Sequence, residues 1–254
     1  MKVKAINLFD KYKLIGLSGK KGSGKDEVAQ MIEYISLCYS TAEEPTYKGY
    51  TERDARHNNL YIFENRKFAG PLKRMVCELI GCTESMLEDR DFKNSPLIGW
   101  SQWRVVLGTI VETFPVKSEA IRFKEFVEKR MSKEANLVEL EMTPRKMLQL
   151  LGTEGVRETL HPNAWVLAAF ADWEPECDWI FTDCRFPNEA RAIENRGGIV
   201  IRVQRSSVEN SGDMHASETA LDSHSFGAYI SNEGTLEDLF AQTLSVVNVL
   251  SGVV

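Results

Sequence analysis

The chain has 254 residues, 43% of them apolar, and a formal net charge of −6. That length and composition suit a globular protein with one substantial hydrophobic core. The acidic total disfavours a protein that coats nucleic acid, because a phosphate backbone is bound by a basic surface. The five cysteines include no C-x-x-C pair, and no apolar run approaches the roughly 18 residues of a membrane span, so we expect a cytoplasmic protein without a zinc site or disulfide framework.

A glycine-rich segment follows the first predicted strand, residues 13–17, and leads into a helical pattern with apolar residues at 28, 31, 32 and 35. Its G-x-x-x-x-G-K spacing, between a strand and a helix, is that of a phosphate-binding loop. Glycines let successive N–H groups point at phosphate oxygens, and the helix N-terminus adds positive charge. An ordinary glycine-rich turn is the alternative. The predicted phosphate-binding residues are Gly19, Gly22, Ser23, Gly24, Lys25 and Asp26, with Lys25 reaching the β and γ phosphates.

The next third of the chain is less regular. Residues 41–59 predict a long surface loop, in which Arg53, Arg56 and His57 are expected to be solvated. Pro71 then opens a helix and places Lys73 in its first turn, beside the sheet edge where ligands gather in α/β proteins. Residues 84–142 predict a helical insertion carrying part of an acceptor site. An insertion that only packs is the alternative.

A second polar pattern begins at Thr143-Pro144, which is typical of a helix start. Four residues at i, i+4, i+7 and i+8 align on one stripe of that helix, beside a lysine. A guanidinium can bind a phosphate through two parallel hydrogen bonds, and an amide can contact a base edge. A solvated helix face is the alternative. These residues are Arg145, Gln149, Gly152 and Thr153, with Lys146 adjacent.

The apolar strand 178–182 ends in Asp183, where an acid in phosphate-loop enzymes organises magnesium or its waters. Arg185 and Glu189 follow, four residues apart, and predict either a site pair or a surface ion pair. Upstream, Trp165 lies in an apolar helix and could serve the core or stack on a base. Further on, residues 205–226 predict a lid-like segment whose His215 and His224 are expected at the surface.

Strands that alternate with helices predict a doubly wound α/β fold. The order of motifs is that of phage-type deoxynucleoside monophosphate kinases, which the chain resembles, within the class of P-loop nucleoside monophosphate kinases. We therefore expect a single domain with a five-stranded parallel sheet of the P-loop kinase type and a lid at 205–226, while residues 40–60 and the helical insertion 84–142 lie outside the resemblance. The motifs that carry it are Gly19 with Gly22-Ser23-Gly24-Lys25-Asp26, Phe68-Ala69-Gly70-Pro71-Leu72-Lys73, residues 145–153, Asp183-x-Arg185-x-x-x-Glu189, His215-Ala216-Ser217-Glu218 and residues 232–239.

The resemblance implies transfer of the γ-phosphoryl of ATP to the 5′-phosphate of a deoxynucleoside monophosphate, with Mg²⁺. Family members commonly carry Asp after the loop lysine, but here Glu27 stands where a threonine often follows, which leaves the magnesium ligands open. The implied catalytic residues are Lys25, Arg145, Lys146, Asp183 and Arg185, and the implied metal ligands are Asp26 and Asp183. Asn232 matches the adenine-binding turn. The implied acceptor-binding residues are Lys73, Arg145, Lys146, Gln149, Gly152, Thr153, Trp165, Arg185 and Glu189.

Two other functions compete with this one. A P-loop kinase for another small acceptor, such as dephospho-coenzyme A, would share the same loop. A nucleotide-binding switch would predict a guanine-reading Asn-Lys-x-Asp motif, which the sequence does not contain. No nucleic-acid or membrane partner is expected, and the resemblance allows a homodimer.

Overall fold

A computed structural model describes residues 12–52, 62–131, 133–209 and 219–252. The chain divides into two compact units, residues 1–70 with 165–254 and residues 71–164. The second unit contains all of the predicted insertion 84–142. Two sequence expectations fall outside the described residues: the solvated surface positions of Arg53, Arg56 and His57, and the His215 motif.

The first unit is built on the predicted five-stranded parallel sheet, with strand order β2-β6-β1-β7-β8. The strands are β1 (Leu14–Ser18), β2 (Glu64–Arg66), β6 (Trp179–Phe181), β7 (Ile199–Gln204) and β8 (Ala228–Ser231). The helices of this unit are α1 (Lys25–Ser40), α2 (Tyr47–Thr51), α7 (Ala164–Ala169), α8 (Pro187–Glu194), α9 (Ser206–Glu209) and α10 (Leu236–Ser251).

The central strand β1 explains why helices cover both faces of the sheet. Successive side chains of a strand point to opposite faces. Ile15 and Leu17 pack in a cluster with the apolar residues of α1 and α10, whereas Leu14 packs in a second cluster with those of α7 and α8. All five residues of β1 are buried. An apolar strand buried on both faces is typical of a doubly wound fold, so the predicted fold class is confirmed.

The second unit has a sheet of its own that the sequence analysis missed. Its helices are α3 (Gly70–Ile80), α4 (Arg90–Asn94), α5 (Lys117–Arg130) and α6 (Pro144–Gln149), followed by a π-helix (Leu150–Glu158). Its strands are β3 (Gln102–Leu107), β4 (Ile110–Phe114) and β5 (Ala135–Leu140), which form an antiparallel sheet in the order β4-β3-β5.

This sheet corrects the expectation that residues 84–142 form a helical insertion. The segment combines helices with three strands, and α5 packs on the sheet through Ala120. The signal was the alternation of Trp103, Val105 and Leu107, which face one small core. Alternation with one apolar face is the pattern of an antiparallel sheet that is buried on one side.

Candidate functional site

The loop of residues 19–26, called the glycine loop below, connects β1 to α1. Its backbone has φ of 83° at Gly22 and 98° at Gly24, a conformation that side-chain-bearing residues rarely adopt. A Cβ atom on Gly24 would also lie 2.6 Å from Nδ2 of Asn232, so both conformation and space require glycine there. The loop is therefore shaped by residues at the predicted spacing.

Lys25 is the first residue of α1, and its side chain folds back over the loop. Its Nζ donates hydrogen bonds to the carbonyl oxygens of Gly19 at 2.7 Å and Lys20 at 2.8 Å, and the residue is only 8% exposed. The Ser23 hydroxyl is fully buried and has no hydrogen-bond partner among the described residues. An ammonium group and a hydroxyl at a helix N-terminus are donors that suit a phosphate group.

Asn232 follows β8 and holds the glycine loop from the side. Its Nδ2 donates to the carbonyl oxygen of Ser23 at 2.9 Å, while its backbone N–H donates to Gln204 at the end of β7 at 2.8 Å. The contact with adenine implied by the resemblance stays a prediction. The geometry adds a second role, because Asn232 fixes the loop relative to the sheet edge.

The two acids after Lys25 differ in their surroundings. Asp26 is 72% exposed in its side chain and lies 3.9 Å from the Lys67 ammonium. The carboxylate of Glu27 accepts a hydrogen bond from the Tyr50 hydroxyl at 2.5 Å. Glu27 is therefore engaged with α2, and Asp26 is the more accessible of the two for a metal ion or its water.

Asp183 follows β6 and holds the turn between β2 and α3. Its two carboxylate oxygens accept the backbone N–H groups of Phe68 at 2.7 Å and Ala69 at 3.0 Å. The predicted strand-end acid thus lies in the predicted place, but its observed partners are backbone donors. That Asp183 binds magnesium or its waters stays a prediction. In that role, its carboxylate would also have to keep its hydrogen bonds to the backbone of Phe68 and Ala69.

Glu189 positions the backbone at Arg185. It is 2% exposed, and its Oε2 accepts the N–H groups of Arg185 at 2.8 Å and Phe186 at 3.0 Å. Glu189 stands at the third position of α8 and caps its N-terminus. The carboxylate of Glu189 is therefore buried against the main chain, so a pairing of Glu189 with Arg185 would not lie at the surface.

A charged cluster beside the glycine loop, made of two buried cations and an exposed carboxylate, was not predicted from the sequence. Asp222 accepts hydrogen bonds from Lys20 Nζ at 3.1 Å and from the Arg202 guanidinium at 3.1 Å, and that guanidinium also donates to the Ser18 hydroxyl at 3.2 Å. Lys20 is 8% exposed and Arg202 is 6% exposed. One carboxylate therefore compensates two buried cations, one of them in the loop. No sequence signal would have paired residues so far apart.

Replacing Asp222 with asparagine is expected to destabilise the protein and loosen the glycine loop. The substitution removes the carboxylate that faces two buried cations, and since the Asp222 side chain is 48% exposed we expect a loss of about 1–3 kcal/mol, below the full cost of a buried site. Urea unfolding should show that loss. The affinity of the loop for a phosphate-bearing ligand should fall as well, because Lys20 belongs to the loop.

Asp172→Asn is the matched control for this variant. Asp172 pairs with Arg66 at 2.7 Å in the same unit, and its side chain is 61% exposed. Solvation should limit its loss to at most about 1 kcal/mol, with no change in the affinity of the loop for a phosphate-bearing ligand. Equal effects of the two substitutions would show that Asp222 has no special relation to the loop.

The predicted acceptor residues of the second unit are held by local polar contacts. The Lys73 ammonium pairs with Glu88, which also lies 3.7 Å from Lys93. Nε of Arg145 donates to Oδ1 of Asn94, at the end of α4, at 2.8 Å. Both cations are thus positioned by neighbours that the sequence analysis did not single out, and their roles in substrate binding stay predictions.

The stripe predicted from residues 145–153 is interrupted. The helix is α-helical only to Gln149 and continues as a π-helix, whose wider turn changes the angular spacing of side chains. Arg145 and Lys146 are half-buried, whereas Gln149 and Thr153 are exposed. Gly152 is buried, and a Cβ atom there would lie 2.8 Å from Leu72, so close packing explains this glycine.

Two further expectations concern Trp165 and the segment 205–226. Trp165 is 5% exposed, so its ring belongs mainly to the packed interior, and a contact with the nucleoside stays a prediction. In the segment 205–226, residues 210–218 lie outside the described ranges, while Leu221 is 2% exposed in the core. His224 is half-buried and lies 3.0 Å from Glu194.

Among the described residues, no group of three or more His, Cys, Asp or Glu side chains could by itself hold a metal ion. A magnesium ion that binds between phosphates and one or two carboxylates needs no such group. No helix in the described part of the chain is long and apolar enough to cross a membrane.

Comparison with known proteins gives a consistent result. Residues 13–243 match the family model for deoxynucleotide monophosphate kinase. The chain is 28% identical to deoxynucleoside-5′-monophosphate kinase of Escherichia phage T5, over 71% of each protein. It is 24% identical to deoxynucleotide monophosphate kinase of Enterobacteria phage T4, over 94% of this chain and all of that protein. A putative deoxynucleotide monophosphate kinase of Acanthamoeba polyphaga mimivirus is 34% identical, over 42% of this chain and 62% of the viral protein.

Proposed function

Because the chain belongs to the deoxynucleotide monophosphate kinase family and is a phosphotransferase acting on deoxynucleoside monophosphates, we propose that its phosphoryl donor is ATP, bound with Mg²⁺ at the glycine loop. The observation that carries this proposal is the position of Lys25. Its ammonium group is held by two loop carbonyl oxygens at the N-terminus of α1, beside the buried Ser23 hydroxyl. Donors so arranged neutralise a polyphosphate.

The proposal assigns a role to the residues in and around the glycine loop. The loop N–H groups and Lys25 bind the donor phosphates, and Asn232 and Asp222 keep the loop in place. Asp26 and Asp183 would hold magnesium or its waters. When bound, the ion neutralises charge that develops on the transferring phosphoryl group.

The proposed acceptor residues supply positive charge and base contacts. Arg185 and the second-unit cations Lys73, Arg145 and Lys146 would bind the acceptor 5′-phosphate or the transferring group. The remaining predicted contacts to the nucleoside are Gln149, Gly152, Thr153 and Trp165. Since both substrates are anionic, the protein contributes mainly positioning and charge neutralisation. We place the reaction in the cytoplasm of a host cell, following the viral relatives.

The direct test is an activity assay on the purified protein with ATP, Mg²⁺ and each of the four deoxynucleoside monophosphates. We expect formation of the diphosphate with at least one of them. Dephospho-coenzyme A serves as the alternative acceptor, and a reaction without acceptor measures hydrolysis of ATP. Normal binding of ATP without diphosphate from any deoxynucleotide would contradict the proposal. Omission of Mg²⁺ with EDTA should abolish transfer.

Arg185→Ala is expected to lower kcat by at least about 10²-fold, since an arginine that stabilises a transferring phosphoryl group contributes on that scale or more. Glu189 accepts the backbone N–H of Arg185, and that bond survives truncation of the side chain. Thermal unfolding should therefore change little. Arg191→Ala, on the exposed side of α8, is the control that should keep full activity. Full activity of Arg185→Ala would remove Arg185 from the proposed site.

A further inference from the structure

Two of the five cysteines lie in contact at the C-terminal end of α3. The Cys82 thiol donates a hydrogen bond to Sγ of Cys77, with a sulfur–sulfur distance of 3.7 Å. Both residues are half-buried, whereas Cys38 and Cys184 are buried at 3% and 1% exposure. The pair therefore differs from the buried cysteines in being close to a partner thiol and within reach of solvent.

The backbone at the end of α3 explains this contact. The helix ends at Ile80, and Gly81 follows with φ of 67° in the left-handed region. The N–H of Cys82 then donates to the carbonyl oxygen of Cys77 at 3.1 Å. This bond across a left-handed glycine is the mark of a Schellman motif, which brings the side chains at those two positions together. In this chain, two thiols occupy the positions that usually make an apolar contact.

We propose that Cys77 and Cys82 form a thiol–disulfide exchange site, which low-molecular-weight disulfides such as oxidised glutathione convert into an intramolecular disulfide. The sulfur atoms must approach from 3.7 Å to a bonded distance of about 2.05 Å, a shift that side-chain rotation within one turn can supply. The inference concerns the second unit alone and is independent of phosphoryl transfer.

The reaction takes place in two exchange steps. The thiolate of one cysteine attacks a sulfur of oxidised glutathione, breaks its S–S bond and releases one glutathione thiolate, leaving a mixed disulfide. The second cysteine then attacks the protein sulfur of that mixed disulfide, forms the Cys77–Cys82 bond and releases the second glutathione. The protein loses two electrons and two thiol protons, and the glutathione disulfide is reduced to two thiols.

Partial burial, and to a smaller extent the neighbouring Cys82 and the carboxylates of Glu84 and Glu78, raise the pKa of Cys77 to about 11. If Cys77 reacts first, it attacks oxidised glutathione. If Cys82 reacts first, Cys77 attacks the mixed disulfide in the second step, so Cys77 is a nucleophile in either order. The rate of disulfide formation should therefore increase with pH from 7 towards 11.

The test treats the native full-length protein with oxidised glutathione, blocks remaining thiols with N-ethylmaleimide and maps the products by peptide mass spectrometry. We expect two of the five thiols to be lost to alkylation as a Cys77–Cys82 disulfide, and dithiothreitol to restore both. Cys177, which is half-buried and not paired with another thiol in the described part of the chain, is the internal control and should carry at most a glutathione adduct.

Two variants and one condition complete the test. In Cys82→Ser, a glutathione adduct should persist on Cys77, whereas Cys177→Ser should leave the disulfide unchanged. In urea, the preference for the Cys77–Cys82 bond should weaken, because the turn no longer holds the thiols together and only their short separation in the sequence favours this pair. Persistent adducts on both cysteines of the native protein, unreacted thiols at both, or the same pairing preference in urea would overturn the proposal.

Discussion

Replacing Lys25 with alanine is expected to lower kcat for phosphoryl transfer by about 10²–10³-fold, which corresponds to roughly 3–4 kcal/mol of transition-state stabilisation. Lys25 is 8% exposed, and its ammonium lies within hydrogen-bond distance of two loop carbonyl oxygens. A cation held in such a loop stabilises charge that develops on the phosphates without needing to reorganise. Steady-state kinetics with ATP and a deoxynucleoside monophosphate measure the loss.

The control is Lys48→Ala on α2 in the same unit. The Lys48 side chain is 80% exposed and makes a helical ion pair with Glu52 at 3.9 Å. Such a pair contributes about 0.3–0.5 kcal/mol to stability, so activity should be unchanged. Thermal unfolding of Lys25→Ala must accompany the kinetics, because its loss leaves two carbonyl oxygens without that donor. Wild-type kcat in a folded Lys25→Ala protein would contradict the assignment of the glycine loop.

Asp183→Asn is expected to lower the free energy of unfolding by about 1–3 kcal/mol, the cost of leaving a buried donor unsatisfied. The two carboxylate oxygens accept N–H groups of Phe68 and Ala69, but an amide has only one oxygen. Its NH₂ group, which is a donor, would therefore face one of the two backbone N–H groups, which are also donors. Urea unfolding measures this structural loss. If Asp183 also serves magnesium, the Mg²⁺ concentration for half-maximal activity should rise as well.

Asp178→Asn provides a control at the other end of β6, because Asp178 directly precedes that strand. Burial raises the pKa of Asp178, against a smaller opposing effect of Lys13. The protonated form of Asp178 is therefore more favourable to folding than its carboxylate. This contribution to stability is lost as pH rises through the raised pKa of Asp178. The asparagine, which is always neutral, should not destabilise the protein at pH 7 and should reduce the decline of stability with pH. Equal destabilisation by both substitutions would contradict the proposed role of the Asp183 hydrogen bonds.

The sequence predicted the parts of the fold that depend on neighbouring residues. The glycine loop was predicted because the spacing of its residues, the strand before it and the helix after it all lie within about 25 residues. The left-handed φ values at Gly22 and Gly24 favour glycine at these positions, which makes the pattern visible in the sequence. The parallel sheet followed from strands that alternate with helices. By contrast, the three-stranded sheet of the second unit was missed, since its strands contain both polar and apolar residues and their alternation was not recognised.

Tertiary structure alone decided which charged groups meet. Lys20 and Asp222 are separated by 202 positions, and Asp183 accepts hydrogen bonds from a turn 114 and 115 positions away. No local pattern encodes such pairs, because they depend on the order in which strands join the sheet. The sequence by itself determined the phosphate-type loop and the doubly wound class, through local backbone constraints and hydrophobic periodicity. The contacts by which Asp222 and Asn232 hold the loop were found only in the tertiary structure, where the parallel sheet brings the ends of β1, β7 and β8 to one edge.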